Sequence, residues 1–241
     1  MSNAQPIIEM RGIGKTIDSG SHVVEILRDI DFAVPRGQFV SIMGPSGSGK
    51  STLLGLLGGL DTPSTGTLLF EGDEIQDLDE DAMALLRGRK IGFIFQSCQL
   101  VPTLTAEENV LLPLELAGNG RFDARRAAEL LDQVGLADRR DHYPVQLSGG
   151  EQQRVAIARA IAKRPEIMLC DEPTGALDVA TGKIVLDALM TVNQKFGTTL
   201  VVITHNAAIG GTADRVIHMM DGGVRTIVTN ESRIPLDEIE W

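Results

Sequence analysis

Residues 44–51 read Gly44-Pro45-Ser46-Gly47-Ser48-Gly49-Lys50-Ser51, and Thr52 follows. The stretch fits the pattern GxxxxGK[ST]. Upstream, Phe39-Val40-Ser41-Ile42-Met43 is an apolar run suited to a buried strand. Downstream, residues 50–60 carry the leucine spacing of a helix. A glycine-rich turn between a strand and a helix is the setting in which this pattern cradles phosphate. The glycines let backbone N–H groups turn inward, and the helix N-terminus adds partial positive charge. Lys50 then reaches the β- and γ-phosphates, and the Ser51 hydroxyl ligates Mg²⁺. The expectation is a nucleotide polyphosphate site built from residues 44–52.

Working outward, a second acidic element comes from Ile167-Met168-Leu169-Cys170, which runs straight into Asp171-Glu172. An apolar strand whose end enters a polar site would put Asp171 beside the Mg²⁺, as the second acidic motif of P-loop NTPases does. Glu172, one residue on, is placed to polarise an attacking water. Further strands are expected at Ile7–Met10, 66–71, Ile91–Phe95 and Thr199–Thr204, with a helix over about 180–195 between the last two buried strands. Strand–helix–strand alternation implies an α/β fold with a mostly parallel sheet. From about 97 to 165 the character is helical, with stretches at 106–116, 123–134 and 152–163. The chain therefore divides into a single domain over 5–228, with a core of about 5–96 and 166–228, a helical subdomain of about 97–165, and an acidic tail at 229–241.

The composition narrows the function. The net charge is −11, which disfavours nucleic acid as a general partner. It also means that any polyphosphate site must be local and helped by a divalent cation. No apolar run approaches the roughly 18–20 residues of a membrane span. The N-terminus has no basic start leading into an apolar block, so no secretory leader is expected. Cys98 and Cys170 lie far apart and form no metal-spaced pair, which suits reduced thiols in a cytoplasmic protein.

Residues 147–151 read LSGGE and continue into QQRVAIARA. Ser148, Gly149 and Gly150 stand just before a helix, so they offer a hydroxyl and bare N–H groups as a second anion site. Here the chain resembles the ATP-binding cassette family, the motor subunits of ABC transporters, over about residues 7–228. The resemblance implies a P-loop NTPase (RecA-like) core, an N-terminal antiparallel β subdomain and an inserted α-helical subdomain. It implies ATP and Mg²⁺ as ligands. It also implies a homodimer in which Ser148–Gly150 of one protomer cap the γ-phosphate held by the other. Gln96 matches the glutamine that senses Mg²⁺ and the attacking water. Asp178, in Pro173-Thr174-Gly175-Ala176-Leu177-Asp178, matches a residue that contacts the opposite protomer. His205 matches the histidine at the γ-phosphate. The expected partner is an integral membrane permease on a separate chain, with this chain peripheral on the cytoplasmic face of the inner membrane.

One departure concerns the base. The family usually stacks an aromatic residue on adenine, and the matching position here is Ile17, with no aromatic nearby. Residues 58–66, 96–113 and 142–160 are similar to the lipoprotein-release and macrolide-exporter branch. The resemblance places permease docking after Gln96, with Leu100, Val101, Leu104 and Val110 as apolar candidates. Two other readings fit less well. A soluble ABC ATPase of repair or translation is disfavoured because about 50 residues separate Gln96 from Leu147, without sustained heptads, and only one cassette is present. A P-loop kinase or GTPase leaves LSGGE and His205 unexplained.

Overall fold

The computed structural model describes residues 5–18, 20, 22–116 and 124–239. In chain order the elements are β1 (Ile8–Asp18), β2 (Val23–Val34), β3 (Phe39–Met43), α1 (Lys50–Leu57), β4 (Thr65–Phe70), β5 (Asp73–Glu74), α2 (Glu80–Lys90), β6 (Ile91–Ile94), α3 (Ala106–Leu116), α4 (Ala124–Gln133), α5 (Gly149–Ile161), β7 (Ile167–Asp171), α6 (Val179–Phe196), β8 (Thr199–Thr204), α7 (Ala207–Thr212), β9 (Arg215–Met220) and β10 (Gly223–Thr229). Asp123, read from sequence as the start of a helix, lies outside the described residues. So do residues 240 and 241 of the tail.

The strands form two sheets. β2-β1-β4-β5 is antiparallel. The order β10-β9-β3-β8-β7-β6 is parallel from β9 to β6, with β10 added antiparallel at one edge. Alternation along the central strands explains why both faces of this sheet are covered. Phe39, Met168, Cys170, Leu200 and Val202 face the apolar cluster that also contains α3, α4, α5 and α6. Val40, Ile42, Ile167, Leu169, Val201 and Ile203 face the cluster formed with α1, α2 and the antiparallel sheet. The helices α3 to α5, inserted between β6 and β7 in sequence, are thus continuous with the core on one face.

At the end of the sheet remote from the phosphate loop, Arg36, Glu71, Lys90 and Glu166 form a closed ring of alternating charge. The Arg36 guanidinium, bonded to Glu71, holds that carboxyl below the usual carboxylate range. The four side chains are partly exposed, so each pair is worth little by itself. Their effect is to tie four different connections of the chain together.

The acidic tail is seated on the core through its described residues. Asp214 receives Arg233 as a fork, Nε to Oδ1 at 2.7 Å and Nη2 to Oδ2 at 2.6 Å, and accepts the Phe39 amide at 2.8 Å. Asn230 donates to the carbonyls of Gly210 and Ala213, and Ile239 is buried. Burial alone would raise the Asp214 carboxyl, but the Arg233 fork and the Phe39 amide overcome it and hold the group below its ordinary value. Arg233→Ala is expected to cost about 1.5–3 kcal/mol, because a hydrogen-bonded charge loses its partner. A depressed carboxylate stabilises the fold above its unfolded pKa of roughly 3.9, and loses that contribution as pH falls through the folded value. The difference in melting temperature between wild type and variant should therefore be large at neutral pH and shrink below about pH 4.

Candidate functional site

The fold places the residues singled out in the sequence at the carboxyl ends of neighbouring parallel strands. The phosphate loop follows β3, Gln96 follows β6, Asp171 ends β7 with Glu172 next, and His205 follows β8. Register puts Met43 beside Thr204, and Asp171 beside Ile203. Ligands of open α/β sheets gather at this edge. A cleft of about 730 Å³ opens there, lined by Ser46, Gly47, Gly49, Lys50, Ser51, Thr52, Asp171, Glu172 and His205. Its size is that of a small-ligand pocket.

Within the loop, Gly49 has φ 91°, and a Cβ there would stand 2.6 Å from Leu27 Cδ2, so only glycine fits between the loop and the antiparallel sheet. Gly49 leads directly into α1, whose first turn points its N–H groups at the cleft. Lys50 is buried, and its ammonium donates to the carbonyls of Gly44 at 2.9 Å and Pro45 at 2.8 Å. Ser48 is buried beneath the loop, and its hydroxyl has no hydrogen-bond partner. The N–H groups at the start of α1 and the lysine together suit a polyanion.

Burial raises the Asp171 carboxyl, and the Glu172 charge adds to this, against a lowering hydrogen bond from Ser51. Ser51 and Asp171 thus stand near each other on the cleft wall, a hydroxyl and a carboxylate. Among the described residues no group of three or more His, Cys, Asp or Glu could hold a metal. A cation held by one hydroxyl and one carboxylate must complete its shell from phosphate and water, which suits Mg²⁺.

Glu172 has φ 46°, a left-handed conformation that costs an L-residue roughly 1–2 kcal/mol. Its N–H donates to Ile203 O at 2.9 Å, its carbonyl accepts from Gly175 at 3.1 Å, and its Oε1 lies 2.8 Å from His205 Nδ1. The strained turn therefore aims the carboxylate across the cleft at the end of the next strand.

The remaining candidates are not among the residues that line this cleft. Gln96 is exposed, and its Nε2 lies near Gly175, where a Cβ would be 3.2 Å away. Ser148 caps α5, its Oγ accepting from Glu151 N at 3.3 Å while Glu151 accepts from Ser148 N at 2.8 Å. Ser148 and Gly149 are exposed. Gly150 is buried, and a Cβ there would meet Thr181 Cγ2 at 2.1 Å. Asp178 caps α6, accepting from Thr181 N at 3.1 Å and its hydroxyl at 2.6 Å. Ile17 pairs with Val24 across β1 and β2, is half-exposed, and does not line the cleft. The apolar residues that do line it are Ile26 and Ile203. Sequence reasoning missed Ile26 because β2 itself went unread. Val110, taken as a docking candidate, is core, whereas Leu100, Val101 and Leu104 are partly exposed.

Comparison with known proteins agrees with this geometry. The family model described as ABC transporter matches residues 27–175. An uncharacterized ABC transporter ATP-binding protein of Escherichia coli K12, YbbA, is 45% identical over 220 residues, covering 91% of this chain and 96% of the relative. The macrolide export ATP-binding/permease protein MacB of Brucella melitensis is 48% identical over 225 residues, covering 93% of this chain but 35% of that protein. Among solved structures, the ATP-binding cassette MJ0796, dimeric in a post-hydrolysis state with ADP and Pi, superimposes with a TM-score of 0.85 at 41% identity, covering 92% of this chain and 98% of that one. Such relatives leave no place for a repair or translation ATPase, and among the described residues no helix is long and apolar enough to cross a membrane. The chain thus belongs to the ABC transporter family, as one of its ATP-binding, ATP-hydrolysing subunits.

Proposed function

We propose that two copies of this chain close head to tail on two molecules of ATP, and that their closing and reopening drives a separate integral membrane permease. The observation that carries this reading is the separation of two anion-binding turns. Lys50 and the loop line one cleft, while Ser148 and Gly149 are exposed at the start of α5 and contribute nothing to it. A protomer thus holds a cradle and an unused cap, and a second copy supplies each with its complement.

In this reading Gly44 to Thr52 bind the phosphates. Gly44 and Pro45 contribute carbonyls that hold Lys50 in place, and the other residues contribute N–H groups and hydroxyls. Ser51 and Asp171, with Gln96, hold Mg²⁺, which when bound offsets charge on the β- and γ-phosphates. Glu172 takes the proton of the attacking water, and His205 orients Glu172 and meets the γ-phosphate. Ser148, Gly149 and Gly150 cap the partner's nucleotide, with Asp178 beside them. Ile17 and Val24 give the base an aliphatic floor without π-stacking. The domain reading, with a core of about 5–96 and 166–228 and a helical unit of about 97–165, belongs to the same proposal. So does a place on the cytoplasmic face of the membrane, with the permease docking on the surface after Gln96, in the manner of lipoprotein-release and macrolide exporters.

Ser148→Arg tests the pairing. It should leave ATP binding to the protomer intact and remove ATP-dependent dimers in sedimentation velocity, with turnover lost in parallel. A variant that hydrolyses ATP at the wild-type rate rules the arrangement out.

A further inference from the structure

We propose that Gln153 and Arg159, both on α5, are positioning residues that set where Gln96 stands by holding the main chain on either side of it. The inference rests on the reading that Gln96 serves the bound nucleotide.

The loop after Gln96 has two backbone bonds of its own, Cys98 N to Phe95 O at 3.0 Å and Gln99 N to Ser97 O at 2.6 Å, and a strained main chain. Cys98 and Gln99 are consecutive non-glycine residues with φ 58° and 48°. L-residues adopt that region singly and at a cost, so a pair of them needs support from outside. The support comes from α5. Gln153 is 1% exposed. Its Nε2 donates to Phe95 O at 3.2 Å, and its Oε1 accepts from the Cys98 thiol at 2.6 Å. Arg159 donates Nη1 to Gln99 O at 2.6 Å and Nη2 to Cys98 O at 2.8 Å. The carbonyl before Gln96 and the two carbonyls following Ser97 are therefore all held by one helix.

Asn109 on α3, fully buried, fixes the next stretch by bonding Val101 N and the carbonyls of Val101, Leu104 and Thr105. What these bonds leave free is the side chain of Gln96. The same α5 begins at the Ser148–Gly149 turn. A rigid helix that carries the cap for the partner's nucleotide at one end, and grips the Gln96 loop along its length, makes the two move together. Arg159 cannot be replaced by a point charge in this role, because its fork spans two carbonyls.

The test uses Arg159→Lys, which keeps the charge and loses the fork, and Gln153→Leu, which keeps the volume and loses both bonds. Each should lower kcat about tenfold while the KM for ATP moves by no more than about twofold, since the phosphate loop is untouched. Cys98, 8% exposed and with its thiol pushed up by burial to about 11, should react with N-ethylmaleimide about tenfold faster once its loop is released. Peptide mass spectrometry separates its label from that of fully buried Cys170. Cys98→Ala is the milder variant, should either of the others fail to fold, and should lower kcat about two- to fivefold with KM held.

In a Gln96→Ala background, Arg159→Lys should cost nothing further, because both act through one group. Losses that multiply in the double variant overturn the proposal. So does faster labelling of Cys98 with kcat unchanged. Wild-type turnover by Gln96→Ala alone would remove the role of Gln96 itself, an outcome distinct from failure of the hold.

Discussion

Glu172→Gln is expected to lower ATP turnover by roughly 10²–10⁴-fold, the usual worth of a positioned general base. It should also leave a nucleotide-bound dimer that survives gel filtration in saturating Mg-ATP. The carboxylate sits at the end of β7 on a left-handed turn, tied through its backbone to Ile203 and Gly175. Glutamine has the same shape and can keep a hydrogen bond to His205, so the geometry at 2.8 Å survives. What it lacks is a site for the water's proton. Binding and closure come before that proton moves, so the variant should stop after closure. The measurement is single-turnover hydrolysis beside gel filtration. A variant that stays monomeric under Mg-ATP, or turns over normally, would falsify the role of Glu172 as base.

Lys50→Ala should abolish measurable turnover by an earlier route. The ammonium is buried and hydrogen-bonded to the loop it belongs to. Truncating one partner of a buried hydrogen-bonded charge pair costs about 2–5 kcal/mol, or roughly 30- to several-thousand-fold in affinity. Without nucleotide, the variant also leaves two loop carbonyls without their donor, at about 1–3 kcal/mol in stability. Calorimetry with a slowly hydrolysed ATP analogue separates these effects from chemistry, because Lys50→Ala should fail to bind where Glu172→Gln binds well. Tight binding by Lys50→Ala would place the phosphates somewhere other than this loop.

Much of the central architecture was legible because it rests on local signals. The strand–glycine turn–helix at 39–57, the buried run 167–171 and strand 199–204 are short apolar stretches with clear boundaries, and each appears where it was expected. Other elements were hidden for physical reasons. Strand β2 is half-exposed, carries a left-handed Asp29 and pairs across register shifts, so its alternation is blurred. Helix α2 buries only Met83 and has almost no apolar stripe. Its ends were readable all the same: Asp79 caps Ala82, acids fill the first turn, and Arg87, Arg89 and Lys90 fill the last. The β9–β10 hairpin also went unread, although Asp221-Gly222, both at positive φ as that turn requires, is its local signal.

At the site, the motifs gave residue types and order but not contacts. The Glu172–His205 pair depends on β7 lying beside β8, and Ile26 enters the cleft only because β2 leans over the phosphate loop. The seating of the C-terminal stretch on Asp214 is a long-range charge pairing with no local trace.

The contact at Gly150 changes how mutational data on this chain should be read. A methyl group at that position would stand 2.1 Å from Thr181 Cγ2, so Thr181 must rotate and give up its hydroxyl bond to Asp178 at the head of α6. Intolerance of Gly150 to replacement therefore carries no information about phosphate contact. The two adjacent glycines differ in surroundings, for Gly149 meets solvent and Gly150 meets a neighbouring helix.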